Sequence, residues 1–285
     1  MKISVITVCF NAAATIGDAL RSVAAQDWPA VEHIIVDGAS TDETLKIVAQ
    51  NQHDSMRVAS EPDKGLYDAM NKGVSLSSGD LIGFLNADDF FCRADALSLI
   101  ARRASEQPCD AVSGAVAIVK PDDVFHVTRA YSATSFRPWM LRFGHALPHP
   151  GFYARRSVFE RIGAFNLEFR LAADFEWMVR FFLVHGLRAA TLPNTIVGMR
   201  EGGLTTAGFG ANVRSNKEMD RALRRNGFSS HELLIWAKYS LKTLQWLAPA
   251  NEYPPPDPAS LLSLFGSSDP VTAGACPQLG DSQEV

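Results

Sequence analysis

With 285 residues, 47% of them hydrophobic and 20% charged, the chain has the composition of an ordered globular protein, long enough for one large α/β domain or for such a domain with a helical appendage. A net charge of −4 supplies no basic field, which excludes a nucleic-acid backbone as partner and leaves any bound phosphate to a local device. Cys9, Cys92, Cys109 and Cys276 form no CxxC pair and have no histidine at zinc-finger spacing, so reduced thiols are expected rather than a disulfide framework or a structural zinc. Met1-Lys2-Ile3-Ser4-Val5 enters an apolar run with no signal-peptide pattern, and no apolar stretch approaches the ~20 residues that span a bilayer. A cytoplasmic protein is the expectation.

Ile3 to Val8 reads as the first strand. Ile16, Ala19, Leu20 and Val23 recur at helical spacing and predict a helix closing near Gln26-Asp27-Trp28-Pro29. Val31 to Val36 is the second strand. Ser40-Thr41-Asp42-Glu43 has the form of a capping box, which predicts a helix from about Thr41 through Val48. Met56 to Ala59, Leu66 to Leu76 and Leu81 to Leu85 follow as strand, helix and strand. This alternation predicts a mostly parallel sheet flanked by helices.

Beyond it the pattern changes. Two β-rich runs between Ala111 and Tyr131 flank the turn signal Pro121-Asp122-Asp123, which predicts a hairpin or mixed-sheet extension. Arg156 to Ile162 and Ala172 to His185 read as helices, and Gly202-Gly203 as a loop before a charged helix around Ala211 to Arg225. Leu234, Ala237, Leu241 and Leu244 recur at helical spacing beside Lys238, Lys242, Trp236 and Trp246. That stripe either lies in a membrane headgroup layer or packs on the body of the protein. The expected organisation is a domain over 1–225 with halves at about 1–110 and 111–225, a helical extension over 226–250, and a tail over 251–285 too polar to order itself.

The distinctive polar residues fall at the carboxyl ends of the predicted strands: Phe10-Asn11, Asp37, Glu61 to Lys64, and Asn86 to Asp89. In an open α/β sheet the ligand crevice lies at that edge. Turn residues are polar in any case, but four loops at one edge make a common site the better reading. Val8-Cys9-Phe10-Asn11 lacks the glycines of a dinucleotide fold, and no Walker A loop is present. What remains for holding a diphosphate is a divalent metal, Mg²⁺ or Mn²⁺, on hard oxygen ligands, and Asn86-Ala87-Asp88-Asp89 offers them.

Ile6-Thr7-Val8-Cys9-Phe10-Asn11, Val36-Asp37-Gly38-Ala39-Ser40-Thr41-Asp42, the run from Glu61 to Gly73, and Phe84-Leu85-Asn86-Ala87-Asp88-Asp89 together resemble the family 2 glycosyltransferases, in particular the branch that builds bacterial exopolysaccharide, capsule and lipopolysaccharide. The resemblance continues through Pro148-His149-Pro150-Gly151-Phe152, Ala172-Ala173-Asp174-Phe175-Glu176 and Gly202-Gly203, covering roughly residues 1 to 225. It implies a GT-A fold and an inverting, metal-dependent transfer of a sugar from a nucleotide diphosphate, UDP before others, to a carbohydrate or lipid-linked acceptor. It also suggests work at the inner face of the plasma membrane.

Residue by residue, the resemblance implies that Phe10 and Asp37 meet the base, Asp37 by accepting from a ring N–H, and that Lys64 faces the nucleotide. Asn86 would touch the ribose and Asp88 would bind the metal. Asn86 departs from the first Asp of the family's D-x-D motif, which throws metal binding onto Asp88, with Asp89 either a helper ligand or a cap of the next segment. Asp174 matches the general base, and its structural alternative is a helix N-terminal charge. His149 is either an acceptor or diphosphate contact or a structural turn histidine. Arg155-Arg156 reads as an exposed charge pair opening a helix. A sugar nucleotidyltransferase would need a Gly-rich basic loop after the first strand, which is missing, and a non-catalytic sugar-nucleotide-binding subunit is supported only by Asn86.

Overall fold

The structure, a computed structural model, describes residues 1–202, 209–232 and 234–236. Its sheet begins with four parallel strands in the spatial order β3 (Met56–Ser60), β2 (Val31–Asp37), β1 (Ile3–Cys9) and β4 (Leu81–Phe84). β1 is buried along its whole length, as a strand covered on both faces must be. Its two internal polar residues are satisfied: Ser4 Oγ donates to Glu32 at 2.6 Å, and Thr7 Oγ1 lies 2.9 Å from His33 Nε2. The crossovers are α1 (Ile16–Ala24), α2 (Thr44–Gln50) and α3 (Leu66–Leu76). α3 packs tightly, because a Cβ at Gly73 would collide with the Ile6 side chain.

The second half is mixed. β8 (Phe152–Arg155) enters antiparallel beside β4, and β6 (Ala111–Val119) runs antiparallel to β8. β9 (Ala189–Arg200) lies parallel to β6, and β5 (Asp89–Phe91) closes the row antiparallel to β9. β7 (Val127–Tyr131) pairs with the far end of β6, forming the hairpin expected around Pro121-Asp122-Asp123. Helices α4 (Ala96–Glu106), α5 (Arg156–Ile162), α6 (Ala173–Val179) and α7 (Phe209–Arg225) complete the described chain, α6 continuing as a π turn over Arg180–Val184. The result is one mixed sheet, parallel in its first half, with helices on its flanks.

Some expectations are corrected. The capping box does not form: Ser40 Oγ donates to Asp37 Oδ1 at 2.5 Å and accepts from the Asn11 N–H at 2.8 Å, so the hydroxyl is turned toward the loops after β1 and β2 and caps no helix start. α2 therefore begins at Thr44, where Asp42 Oδ1 accepts from the Thr44 N–H. Arg155 and Arg156 are not an exposed pair. Both are partly buried at the opposite sheet edge from the polar loops, Arg155 donating to the carbonyls of Cys109 and Ala104 and Arg156 to that of Gly79. Of the C-terminal stripe, Leu234 is 44% exposed while its neighbour Ile235 is fully buried in the core. Ala237, Leu241, Leu244, Lys238, Lys242, Trp246, Gly203, Cys276 and the tail lie outside the described residues.

Candidate active site

Strand direction decides what gathers where. β8 is antiparallel to β4 and β6 antiparallel to β8, so β6 and its parallel neighbour β9 point the same way as β1 to β4. The carboxyl end of β9, Arg200, thus reaches the edge where Phe10, Asp37, Lys64 and Asn86 to Asp89 leave their strands.

The loops after β1 and β2 are laced together. Asn11 and Ala12 donate backbone N–H bonds to the side chains of Ser40 and Thr44, Ala13 donates to Asp42, and Asn11 Oδ1 accepts from the Thr41 N–H at 2.9 Å. This lacing holds two non-glycine residues in left-handed backbone, Asn11 at φ 49° and Ala39 at φ 64°. For the alanine that conformation costs about 1–2 kcal/mol, a cost characteristic of a site whose shape is fixed from outside. A Cβ at Gly38 would lie 2.5 Å from Asp63 Oδ2 and 3.4 Å from the Phe10 ring, so only glycine leaves those groups their places. Phe10 is 62% exposed and offers a flat aromatic face at the cleft.

Asp37 is fully buried beneath this floor. Its Oδ1 accepts from Ser40 Oγ and, at 3.6 Å, from Cys9 Sγ, and its Oδ2 accepts from the Ser40 N–H and from Ser60 Oγ. Burial alone would raise its pKa, but these donors together hold it below the ordinary carboxylate value. About four lone-pair sites are thereby filled, so a base N–H reaches Asp37 only if Ser40 or Ser60 turns away. Lys64 is exposed, its backbone N–H bonded to Asp68, and its ammonium makes no ion pair among the described residues.

The loop after β4 carries the unmatched oxygens. Asp89 opens β5 with its carboxylate completely buried, Oδ2 accepting from Asn86 Nδ2 at 3.1 Å and Oδ1 without a partner, and Asn86 Oδ1 is a second buried orphan. Burial, reinforced by the neighbouring Asp88 charge, drives the Asp89 pKa far up, and burial likewise raises Asp88 against the pull of Arg200. Orphaned acceptors beside two carboxylates that resist ionisation are what a divalent cation would relieve. Among the described residues no three acidic, His or Cys groups form a full metal cage. Arg200 braces this loop: its Nη1 donates to the Asp88 carbonyl at 3.0 Å, its Nη2 pairs with Asp18 on α1, and its guanidinium lies 5.1 Å above the Phe90 ring.

Asp174 stands in the first turn of α6, where Oδ1 accepts from Tyr67 Oη at 2.9 Å. Oδ2 accepts from nothing among the described residues. His149 lies close enough to feel this charge, since burial lowers its pKa while Asp174 opposes the fall. Its ring stacks on Phe84 at 4.9 Å and meets Phe165 edge-on at 5.5 Å, a packed ring as the structural reading requires. The segment leading into α6 is gripped from α7: Glu218 accepts the N–H groups of Arg170, Leu171 and Ala172.

The sequence reading thus named residues that the fold brings to one edge, but it assigned no role to Tyr67, Arg200, Asp18 or Glu218. Tyr67 lies in the run from Glu61 to Gly73, and its place two residues after Gly65 is its only signal in the sequence. The other three act through tertiary contacts with no local pattern.

The sequence profile described as Glycosyl transferase family 2 matches residues 4–168, more than half of the chain. The chain belongs to glycosyl transferase family 2. This family 2 glycosyltransferase is 36% identical over 183 residues to the PGL/p-HBAD biosynthesis glycosyltransferase of Mycobacterium bovis, an alignment covering 63% of this chain and 69% of the relative. It resembles the solved structure of S. aureus TarS 1-349 in complex with UDP-GlcNAc (TM-score 0.61, 20% identity, 86% of this chain and 73% of that one). It also resembles the mannosyltransferase PcManGT of Pyrobaculum calidifontis in complex with GDP-Man and Mn²⁺ (TM-score 0.59, 21% identity, 84% and 69%). These two likenesses bear out the expected GT-A fold. Asp174, Arg200 and Glu218 all lie beyond the residues that the family profile matches.

Proposed function

We propose that this glycosyltransferase transfers a sugar, with inversion, from a nucleotide diphosphate to the hydroxyl of a carbohydrate or lipid-linked acceptor in surface glycan assembly. The observation that carries the reading is the pairing, across one sheet edge, of an unmatched acidic loop at Asn86 to Asp89 with a single carboxylate, Asp174, that keeps one oxygen free. UDP is the favoured donor nucleotide, and the two solved neighbours, holding UDP-GlcNAc and GDP-Man with Mn²⁺, frame the choice. We assign donor binding to about 1–110 and acceptor binding to about 111–225, with 226–250 as a helical extension that either packs on the body or contacts the inner membrane surface. No helix among the described residues is long and apolar enough to cross a membrane.

In this reading Phe10 stacks on the base and Asp37 keeps the loop beneath it rigid, meeting the base once a serine hydroxyl turns away. Asn86 reaches the ribose and Lys64 draws the diphosphate. Asp88, aided by Asp89 and the Asn86 amide oxygen, would hold Mg²⁺ or Mn²⁺. A divalent ion there supplies positive charge against the departing diphosphate, so no protein acid is required. Asp174 Oδ2 takes the acceptor proton as the hydroxyl attacks the anomeric carbon from the opposite face, through an oxocarbenium-like state. His149 lines the acceptor side beside it.

Asp174→Asn keeps the shape and the Tyr67 contact but cannot take a proton. Transfer should fall about 10²–10⁴-fold while UDP binding with Mn²⁺ is retained. Wild-type turnover in this variant removes Asp174 from the mechanism.

A further inference from the structure

We infer that Tyr67 is the residue that aims the base: it occupies Asp174 Oδ1 so that Oδ2 alone receives the acceptor proton. This rests on the reading of Asp174 as general base.

Tyr67 is 7% exposed, packed against Phe165 at 5.7 Å, and its hydroxyl is spent on Asp174. Burial, together with the charge of Asp174, raises its own pKa well above the ordinary phenol value, so it stays a protonated donor throughout the working range. The single hydroxyl is thereby committed to one oxygen of the Asp174 carboxylate. An exposed aspartate in a first helical turn has free χ1 rotation. A carboxylate tied at one oxygen has not.

Around the pair stand His149, which feels the Asp174 charge, and Glu218, whose own charge bears on Tyr67 while its oxygens hold the backbone at 170–172. The segment leading into Asp174 and one of its oxygens are therefore both held, and only Oδ2 is left. As the acceptor oxygen bonds to the anomeric carbon, the bond from that carbon to the diphosphate oxygen breaks and the electron pair leaves with the nucleotide. The hydroxyl proton passes to Oδ2, and the Tyr67 proton stays where it is.

Tyr67→Phe removes the hydroxyl and keeps the ring against Phe165. A hydrogen bond to the ionised carboxylate favours the form that accepts the proton, so its loss moves the acid limb of kcat/KM to higher pH, by about one pH unit. kcat on the plateau falls about tenfold or more from lost orientation, while the Kd for UDP with Mn²⁺ is unchanged and shows that the cleft is folded. The limb also moves when the change is made in a His149→Gln background, which assigns it to the phenol. An acid limb that does not move, with or without a lower Tm, overturns the proposal and leaves Tyr67 a packing residue. If Asp174→Asn turns over normally, the base assignment is what has failed; if that variant is dead and Tyr67→Phe keeps the parent profile, only the role of Tyr67 has.

Discussion

Asp88 and Asp89 show how much of a site's chemistry is set by desolvation. Side by side, one of them buried outright, they have the nearby charge of Arg200, but its guanidinium is already committed to Asp18 and to the Asp88 carbonyl. Asp88→Ala should therefore abolish the metal dependence of nucleotide binding and lower transfer about 10²-fold or more, since several kcal/mol of leaving-group stabilisation go with the ion. Calorimetric titration of UDP with and without Mn²⁺ checks it. Equal affinities in the parent protein would show that the loop holds no ion.

At the scale of elements, α7 is the part whose importance is least visible from its own sequence. Glu218 draws three successive N–H groups onto one carboxylate, and Arg221 and Arg225 bind Glu168, with Arg221 also 4.4 Å above the Phe169 ring. Glu218→Gln leaves one acceptor oxygen for three donors and removes the charge that strengthens them. The expected loss is about 1–3 kcal/mol, a Tm lower by roughly 3–10 °C, with kcat falling more than UDP affinity. Scanning calorimetry beside a kcat and Kd comparison tests this.

Elements with strong local signals were legible: Leu66 to Leu76 coincides with α3, Arg156 to Ile162 with α5, and the four parallel strands lie where the β-branched runs stand. The strands that went unread have physical reasons. β5 and β8 have three and four residues, too few for a period, and β9 carries Pro193, which argues against a strand. The sheet accommodates that proline where the β6 to β9 register slips, between the pairs Ser113↔Thr191 and Ala115↔Thr195. The capping box failed because the Ser40 side chain is drawn to Asp37 and to the Asn11 N–H, both beside the cleft, and is turned away from a helix start. Candidate site residues were legible where they end strands; those that only brace them, Arg200 and Glu218, were not.

For the molecule as a whole, acid stability turns also on groups away from the cleft. His33 is fully buried, hydrogen-bonded on one side by Thr7 and orphaned at Nδ1, and burial lowers its pKa to about 3. The unfolded chain binds that proton near pH 6.5, so stability is lost as pH falls below 6.5 and continues to be lost toward 3. Glu32 acts in a lower window. Although burial opposes it, hydrogen bonds from Ser4 and Ser78 bring its pKa to about 2, so its contribution disappears only between about 4.5 and 2. Between pH 6.5 and 5 the histidine alone should cost about 1.5 kcal/mol. Urea titrations at the two pH values measure it, and a His33→Gln variant with an equally steep pH dependence would assign the loss elsewhere.

The two halves of the sheet are tied together by a single seam, β4 against β8. They meet along the three pairs Leu81↔Arg155, Ile82↔Ala154 and Gly83↔Tyr153, and the Tyr153 ring fills the space in which any side chain at position 83 would begin. The strand from one side carries a hole and the strand from the other carries the plug. A recombinant that joins the first four strands of this enzyme to the later strands of a relative must therefore take positions 83 and 153 from the same parent, or reinvent both at once. This makes the seam a natural barrier to shuffling within the fold.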